Sequence, residues 1–366
     1  MKIKLKQAFN LQMGKTPARN RPDYWNGENK WISIADIGNT GKFLVKTKES
    51  ITEAGIEGSG IKVVPQGTVI MSFKLSIGKT AITSEDMYTN EAIMAFIDNG
   101  KFAVDTDYLY HLCCGTNWTA GTNKAVMGLI LNKATLLEKE IPLPDINEQH
   151  EIATKLDKID AIIAERQQQL ELIDQLVKSR FIELFGDYNL THPQDSWVSI
   201  KEIGTVVGGA TPKTDHDEYW GGSYRWITPA ELDADSGYIY DSVRKLTKAG
   251  VESCSLQEIP VGTVILSSRA PIGKVAIAGN TFYCNQGFKN IICKEGITPR
   301  YLYTVLLLNV EHLNSLGRGA TFKEISKGIV ENIRIPVPPI ELQQQFTAFV
   351  EQTDKSKLCG KMEVAA

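Results

Sequence analysis

Apolar residues follow two different rhythms along this chain. Over most of its length they come in short β-branched runs fenced by Gly and Pro. Gly67-Thr68-Val69-Ile70 and Gly262-Thr263-Val264-Ile265 are of this kind, as are Thr80–Thr83 and Val275–Ala278. Such runs predict short strands in a mixed α/β domain. Between Pro144 and Gly186 the rhythm changes. Ile152, Leu156, Ile159, Ile163, Leu170, Ile173 and Val177 recur at steps of four and three, and Arg166 and Arg180 fill two further places in the series. Charged and Gln residues occupy the other faces. This is a heptad seam, and it predicts one long helix with a coiled-coil stripe. The 39 residues from Asn147 to Phe185 would form a rod of about 58 Å.

The strand-rich pattern occurs twice. Shifted by 195 positions, the chain falls on itself without a gap from Gly14 to Asn90. Gly14, Thr16 and Pro17 meet Gly209, Thr211 and Pro212. Tyr24-Trp25 meets Tyr219-Trp220, and Trp31-Ile32 meets Trp226-Ile227. Ile77-Gly78-Lys79 meets Ile272-Gly273-Lys274. After small insertions, Tyr108-Leu109-Tyr110 corresponds to Tyr301-Leu302-Tyr303, and Ile141-Pro142-Leu143-Pro144 to Ile335-Pro336-Val337-Pro338. A period this long is a duplicated domain, not a solenoid unit. The expected layout is one copy over 1–145, the spacer helix over 146–187, a second copy over 188–339, and a short helix and tail over 340–366. The matched aromatic positions read as core. Phe346 and Val350 align with Ile152 and Leu156 and offer the seam a partner, after which Thr353, Lys357 and Gly360 break the match.

Charge refines this picture. The net charge is −3 overall; the two domain segments carry +2 and 0, and the central helix carries −4. That is a weak footprint for a free-standing nucleic-acid binder, and the acidic helix is a poor surface for phosphate. No apolar run is long enough to cross a membrane, and Met1–Lys6 is too short and polar for a signal peptide, so a cytoplasmic protein is expected. Cys113, Cys114, Cys254, Cys284, Cys293 and Cys359 show no zinc or redox spacing and read as reduced thiols.

Motifs of catalysis are missing. Pro338-Pro339 is followed by Ile340, not by the aromatic residue that an amino-methyltransferase loop requires. Ile77-Gly78-Lys79-Thr80 ends like a phosphate-binding loop, but Phe73 stands where its first Gly belongs. His111, His150, His192, His216 and His312 form no metal or triad spacing. The residues point to recognition and assembly.

Two divergent copies, each closing in Ile-Pro-[Leu/Val]-Pro and a Gln-rich helix start (Asn147-Glu148-Gln149; Glu341–Gln345), resemble the type I restriction–modification specificity subunit. The Gly-x-Thr-Pro, Tyr-Trp-x-Gly and Trp-Ile pieces and Gly319-Ala320-Thr321 fit the same family. The resemblance implies an α+β fold of two tandem target-recognition domains, each followed by a helix, with the helices pairing as an antiparallel coiled coil. It implies a non-catalytic reader of a split site on double-stranded DNA, to which methyltransferase and restriction subunits dock. S-adenosylmethionine, ATP and Mg would belong to those partners. The rod would act as a spacer, on the scale of about 17 base pairs at most. Candidate DNA contacts are Lys15, Lys74, Lys79, Asn123 and Lys124 in the first copy, and Lys213, Arg269, Lys274, Arg318 and Lys323 in the second. An arginine at 269 or 318 suits bidentate contact with guanine. The rival readings are a tandem-domain interaction or ligand-binding protein without a DNA role, and a self-sufficient enzyme, which the missing motifs oppose.

Overall fold

The computed structural model describes residues 1–38, 41–74, 76–119, 131–232, 237–269, 271–319 and 323–365. It divides into two compact units, Met1–Ala164 and Glu165–Ala366. Among the described residues no helix is long and apolar enough to cross a membrane.

Each unit contains the same three sheets. In the first, a five-stranded sheet has the order Phe9–Met13, Ile93–Asp98, Val69–Ser72, Thr80–Thr83, Phe43–Leu44. Its first three pairings are antiparallel and its last is parallel. A three-stranded sheet sets Trp25–Ile32 between Glu49–Ile51 and Tyr88–Thr89. The second unit repeats both, with Gly204–Gly208, Lys289–Cys293, Val264–Ser268, Ile272–Ala278 and Tyr238–Ile239 in one sheet, and Trp220–Ile227 between Arg244–Leu246 and Tyr283–Cys284 in the other. Strand runs such as Val69–Ser72 are buried along their whole length, because Val69 and Met71 pack into one core cluster and Ile70 into a second that includes Ile32 of the three-stranded sheet; that is why they read as continuous rather than alternating.

The repeated glycines have a steric cause. A Cβ on Gly14 would stand 2.0 Å from the Thr89 carbonyl oxygen, and one on Gly209 would stand 2.0 Å from that of Cys284. Gly27 and Gly222 sit in the bulges of their strands, where a Cβ would meet the carbonyls of Ile51 and Leu246 at 2.4 and 2.2 Å. Trp31 and Trp226 are buried, as the core reading expects. Ile77-Gly78-Lys79 and Ile272-Gly273-Lys274 lie at hairpins between antiparallel strands. The Ser267 hydroxyl closes the second by donating to the Pro271 carbonyl at 2.8 Å and accepting from the Lys274 amide at 2.8 Å. A phosphate loop runs from strand to helix, so this geometry is a turn and not a phosphate cradle.

The Ile-Pro-Leu-Pro segments close each domain. Glu140–Pro142 pairs antiparallel with Lys2–Lys4, and Arg334–Ile335 with Val198–Ser199. Immediately afterwards a helix begins: Ile146–Phe185 after the first copy and Ile340–Ala365 after the second. One fully buried glutamine fixes each helix root. Gln149 accepts from the Asp105 amide at 2.9 Å and donates to the carbonyls of Ala103 and Pro144 at 3.1 and 2.9 Å. Gln343 repeats the set with the Thr298 amide at 2.8 Å and the carbonyls of Gly296 and Pro338 at 3.0 and 2.8 Å. Tyr108 and Tyr301 each donate a hydroxyl to a proline carbonyl of the closing segment, Pro142 and Pro336, at 3.0 Å.

A cation adds a further tie in each unit, and its source differs. In the first, Lys42 reaches Asp107 at 2.8 Å and Asp157 on the helix at 2.6 Å, and His111 lies 2.7 Å from the same Asp157 oxygen. Burial works to raise the Asp157 pKa, but the bonds from Lys42 and His111 outweigh it and hold the carboxyl below its ordinary range. In the second, the positions of Lys42 and Asp107 fall on Gly237 and Arg300. Arg300 donates to Asp354 at 2.8 Å. Its guanidinium fills the place a side chain at position 237 would take, since a Cβ there would meet Nη1 at 2.6 Å.

Within the second unit the end of the central helix packs antiparallel to the closing helix. Phe346 meets Phe181 and Phe185 at 5.4 and 5.7 Å between ring centroids. Arg180 covers Phe349, and Lys357 pairs with Asp174 further back along the central helix. Val177 and Val350 join the same core, and Leu170 and Ile173 are half-buried, as is Ile163 in the first unit. In the first unit Ile152 packs on the domain core and Leu156 is half-buried. Ile159 departs from the expected seam and is 50% exposed, with Asp157 and Asp160 flanking it and directed at His111. The backbone of the closing helix also runs through Gly360 to Ala365, where the sequence predicts a break. One glycine costs a helix about 1 kcal/mol against alanine, too little to end it.

Gln343→Ala leaves one amide and two carbonyls without partners in a closed space, and at about 1–3 kcal/mol for each stranded group, partly relieved by water, we expect the second unit to lose about 3 kcal/mol. Urea unfolding of the full chain measures this; a loss under about 1 kcal/mol contradicts the lock.

Candidate nucleic-acid interface

The cationic residues singled out in the sequence lie in different settings. In the second unit three of them gather on one edge. Arg269 and Arg318 each form a β-bridge with Glu324, and Lys323 is its neighbour in the chain. The Arg318 amide donates to the Glu324 carbonyl at 3.0 Å, and the Glu324 amide donates back at 2.9 Å. The Glu324 carboxylate is taken by Lys289, 3.1 Å away, which also donates to Ser268 at 3.2 Å. Arg318 and Lys323 are exposed and Arg269 is half-buried. Residues 320–322 between them lie outside the described residues.

Lys274 behaves differently. Its ammonium donates to the carbonyls of Pro229 and Leu232 at 3.1 and 2.9 Å. Two of its three donors therefore hold a neighbouring loop. Its counterpart Lys79 is exposed. Lys15 donates to the Ser59 carbonyl at 3.2 Å, and Lys74 lies 5.2 Å over the Phe73 ring. Asn123 and Lys124 lie outside the described residues.

The Gly-x-Thr-Pro loops organise the neighbouring surface. Trp25 and Trp31 meet edge to face at 5.1 Å, as do Trp220 and Trp226. All four indole N–H groups donate into the loop. Trp25 reaches the Ala18 carbonyl at 3.2 Å and Trp31 that of Lys15 at 3.0 Å; Trp220 reaches Lys213 at 3.2 Å and Trp226 reaches Ala210 at 3.1 Å. Lys213 thus holds the loop through its backbone while its side chain stays exposed. Thr16 donates to Glu91, and Thr211 donates to the matching Gln286 at 2.6 Å.

A guanidinium lies over each outer tryptophan. Arg19 is 3.9 Å from the Trp25 ring centre and Arg244 is 3.4 Å from that of Trp220. Sequence reasoning missed both, because they come from unmatched positions: Arg19 from the loop, Arg244 from the strand Arg244–Leu246. The one available signal was a charge reversal, since Glu49 occupies the place of Arg244 in the first copy. There Glu49 grips Arg19 in a bidentate pair, one bond of which is 3.0 Å. The bond from Arg19 holds the Glu49 carboxyl below its ordinary range, and the Thr16 hydroxyl does the same for Glu91. The buried Cys284 thiol is pushed up to about 12 by desolvation, so it takes no part in surface chemistry. Among the described residues no His, Cys, Asp or Glu group could hold a metal ion.

The geometry is a duplicated scaffold with basic, differing loops. The model of the type I restriction modification DNA specificity domain matches residues 1–173 and again 195–359. The chain belongs to this family. The specificity-domain chain is 41% identical to the type I restriction enzyme MjaIX specificity subunit of Methanocaldococcus jannaschii over 185 residues, 49% of this chain and 43% of that protein. It thus spans less than half the length of that curated relative. It is 22% identical to the type I restriction enzyme EcoprrI specificity subunit of Escherichia coli over 96% of this chain and 87% of the relative. Among solved structures, a chain from work on complex assembly and conformational transition of the type I R-M system superposes with a TM-score of 0.64 at 19% identity, covering 100% of this chain and 92% of that one. At that identity the likeness establishes the specificity-domain fold.

Because Lys274 is spent internally, Lys274→Met is expected to cost about 1–3 kcal/mol of stability, read by thermal unfolding of the full chain. Unchanged thermal unfolding contradicts the structural assignment.

Proposed function

We propose that this chain is the DNA sequence-specificity subunit of a type I restriction–modification system. Each target-recognition domain reads one half of a split site on double-stranded DNA, and methyltransferase and restriction subunits assemble on the same chain. The reading is supported by one observation above the others: the family match falls twice, over 1–173 and 195–359, on two domains whose scaffolds agree and whose exposed cations do not. A reader of two different half-sites needs that combination, since phosphate contacts set position and base-edge contacts carry the sequence.

The chain does no chemistry in this reading. S-adenosylmethionine, ATP and Mg act on the partner subunits, and the complex works in the cytoplasm. The domain segments carry only +2 and 0, so electrostatic affinity of the isolated chain is weak, and the partners complete the grip. The central helix, acidic and long, serves assembly and spacing rather than phosphate binding.

The test is co-expression with a type I methyltransferase subunit from the same source, pull-down of the complex, and mapping of methylated adenines in host DNA. A stable complex and a two-part motif with a fixed gap are expected. Absence of a complex, with no methylation dependent on this chain, favours a tandem-domain interaction protein without a DNA role.

A further inference from the structure

The two tryptophan platforms are built alike and finished differently. In the first, the cation on Trp25 is Arg19, and its N–H donors are engaged by both oxygens of Glu49. Glu91 stands on the same loop through Thr16. In the second, both acids are replaced at the matching positions, Glu49 by Arg244 and Glu91 by Gln286. Arg244 itself covers Trp220 at 3.4 Å and reaches the Trp226 ring at 5.5 Å. It is exposed, and no carboxylate among the described residues pairs with it. Stacking fixes the plane of a guanidinium and leaves the N–H donors on its edge free. The platform also adjoins the basic edge already described. Thr211 holds Gln286, and a Cβ on the next residue, Gly287, would stand 3.6 Å from the Arg269 side chain.

We infer that Arg244 is a base-reading residue of the second domain, presented by Trp220 as a flat, pre-oriented fork, and that Glu49 withholds the equivalent cation in the first. The inference rests on the DNA-recognition reading above. A guanidinium stacked on a ring and exposed to solvent suits the paired acceptors of guanine in the major groove, whereas a phosphate contact needs charge but no fixed plane. The first domain, whose guanidinium is already engaged, reads its half-site through other groups.

The experiment maps the methylated motif made by the full chain, co-expressed with its methyltransferase, for the wild type, Arg244→Ala and Arg244→Lys. Arg244→Ala is expected to relax one position in one half-site, lowering preference for the native base there by about tenfold or more. The other half-site stays unchanged, and the chain stays folded, with thermal unfolding lowered only by the small loss of one exposed cation–π contact. Arg244→Lys keeps the charge without the fork and is expected not to restore the preference. An unaltered motif in Arg244→Ala overturns the assignment. So does full restoration by lysine, or a uniform drop in methylation at every site, which would mark a phosphate contact. If the wild-type chain itself directs no motif, the DNA reading fails, and this assignment falls with it.

Discussion

Everything distinctive in this architecture depends on how a domain is fastened to the helix that follows it. A buried glutamine has two N–H donors and a carbonyl oxygen to satisfy in a space closed to water, and a group left unmet is costly. Gln149 and Gln343 each satisfy theirs with one amide and two carbonyls, one of which belongs to the last proline of the closing segment. That set defines a single entry geometry for the helix. Tyr108 and Tyr301 anchor the first proline of the same segment. Domain and helix root are thereby tied through the same short segment, whose two prolines supply the acceptors.

Around this fixed joint the copies have diverged by relocating charge. Two cation sites persist while the residues that supply them change. At the helix root, Lys42 in the first copy gives way to Arg300 in the second, with Gly237 vacating the space. On the tryptophan platform, Arg19 held by Glu49 gives way to Arg244. The first exchange preserves a structural tie. The second changes what the surface offers, because one guanidinium is neutralised and the other has no carboxylate partner among the described residues. The two copies gain their asymmetry in this way, without disturbing the sheets beneath.

Much of this was legible in the sequence, for identifiable reasons. The repeat exposed both domains, since the glycines that recur are those where any Cβ would strike a carbonyl, and the tryptophans that recur are buried or donate into the loop. The long helix was legible from its heptad spacing. The placement of Ile159 was not, because the same stretch carries Asp157 and Asp160 for the ties to His111, and those ties compete with the seam for the orientation of that turn. The fate of Lys274 was equally hidden: a lysine that holds two carbonyls and one that faces water are written alike. Arg19 and Arg244 escaped notice because a shared site supplied from unmatched positions leaves no repeat signal, only an acid opposite a base at 49 and 244. The family was legible from the order of motifs, each weak alone, and the match over both halves shows it.

The central claim is that each recognition domain is a module ended by its own lock. The most direct measurement exchanges residues 200–333, between the paired strands that close the second domain, for the equivalent segment of a relative with a different site, and maps the methylated motif of the assembled complex. The account predicts that one half of the motif changes while the other half and the gap stay as they were. A change in both halves, or in the gap, would contradict it.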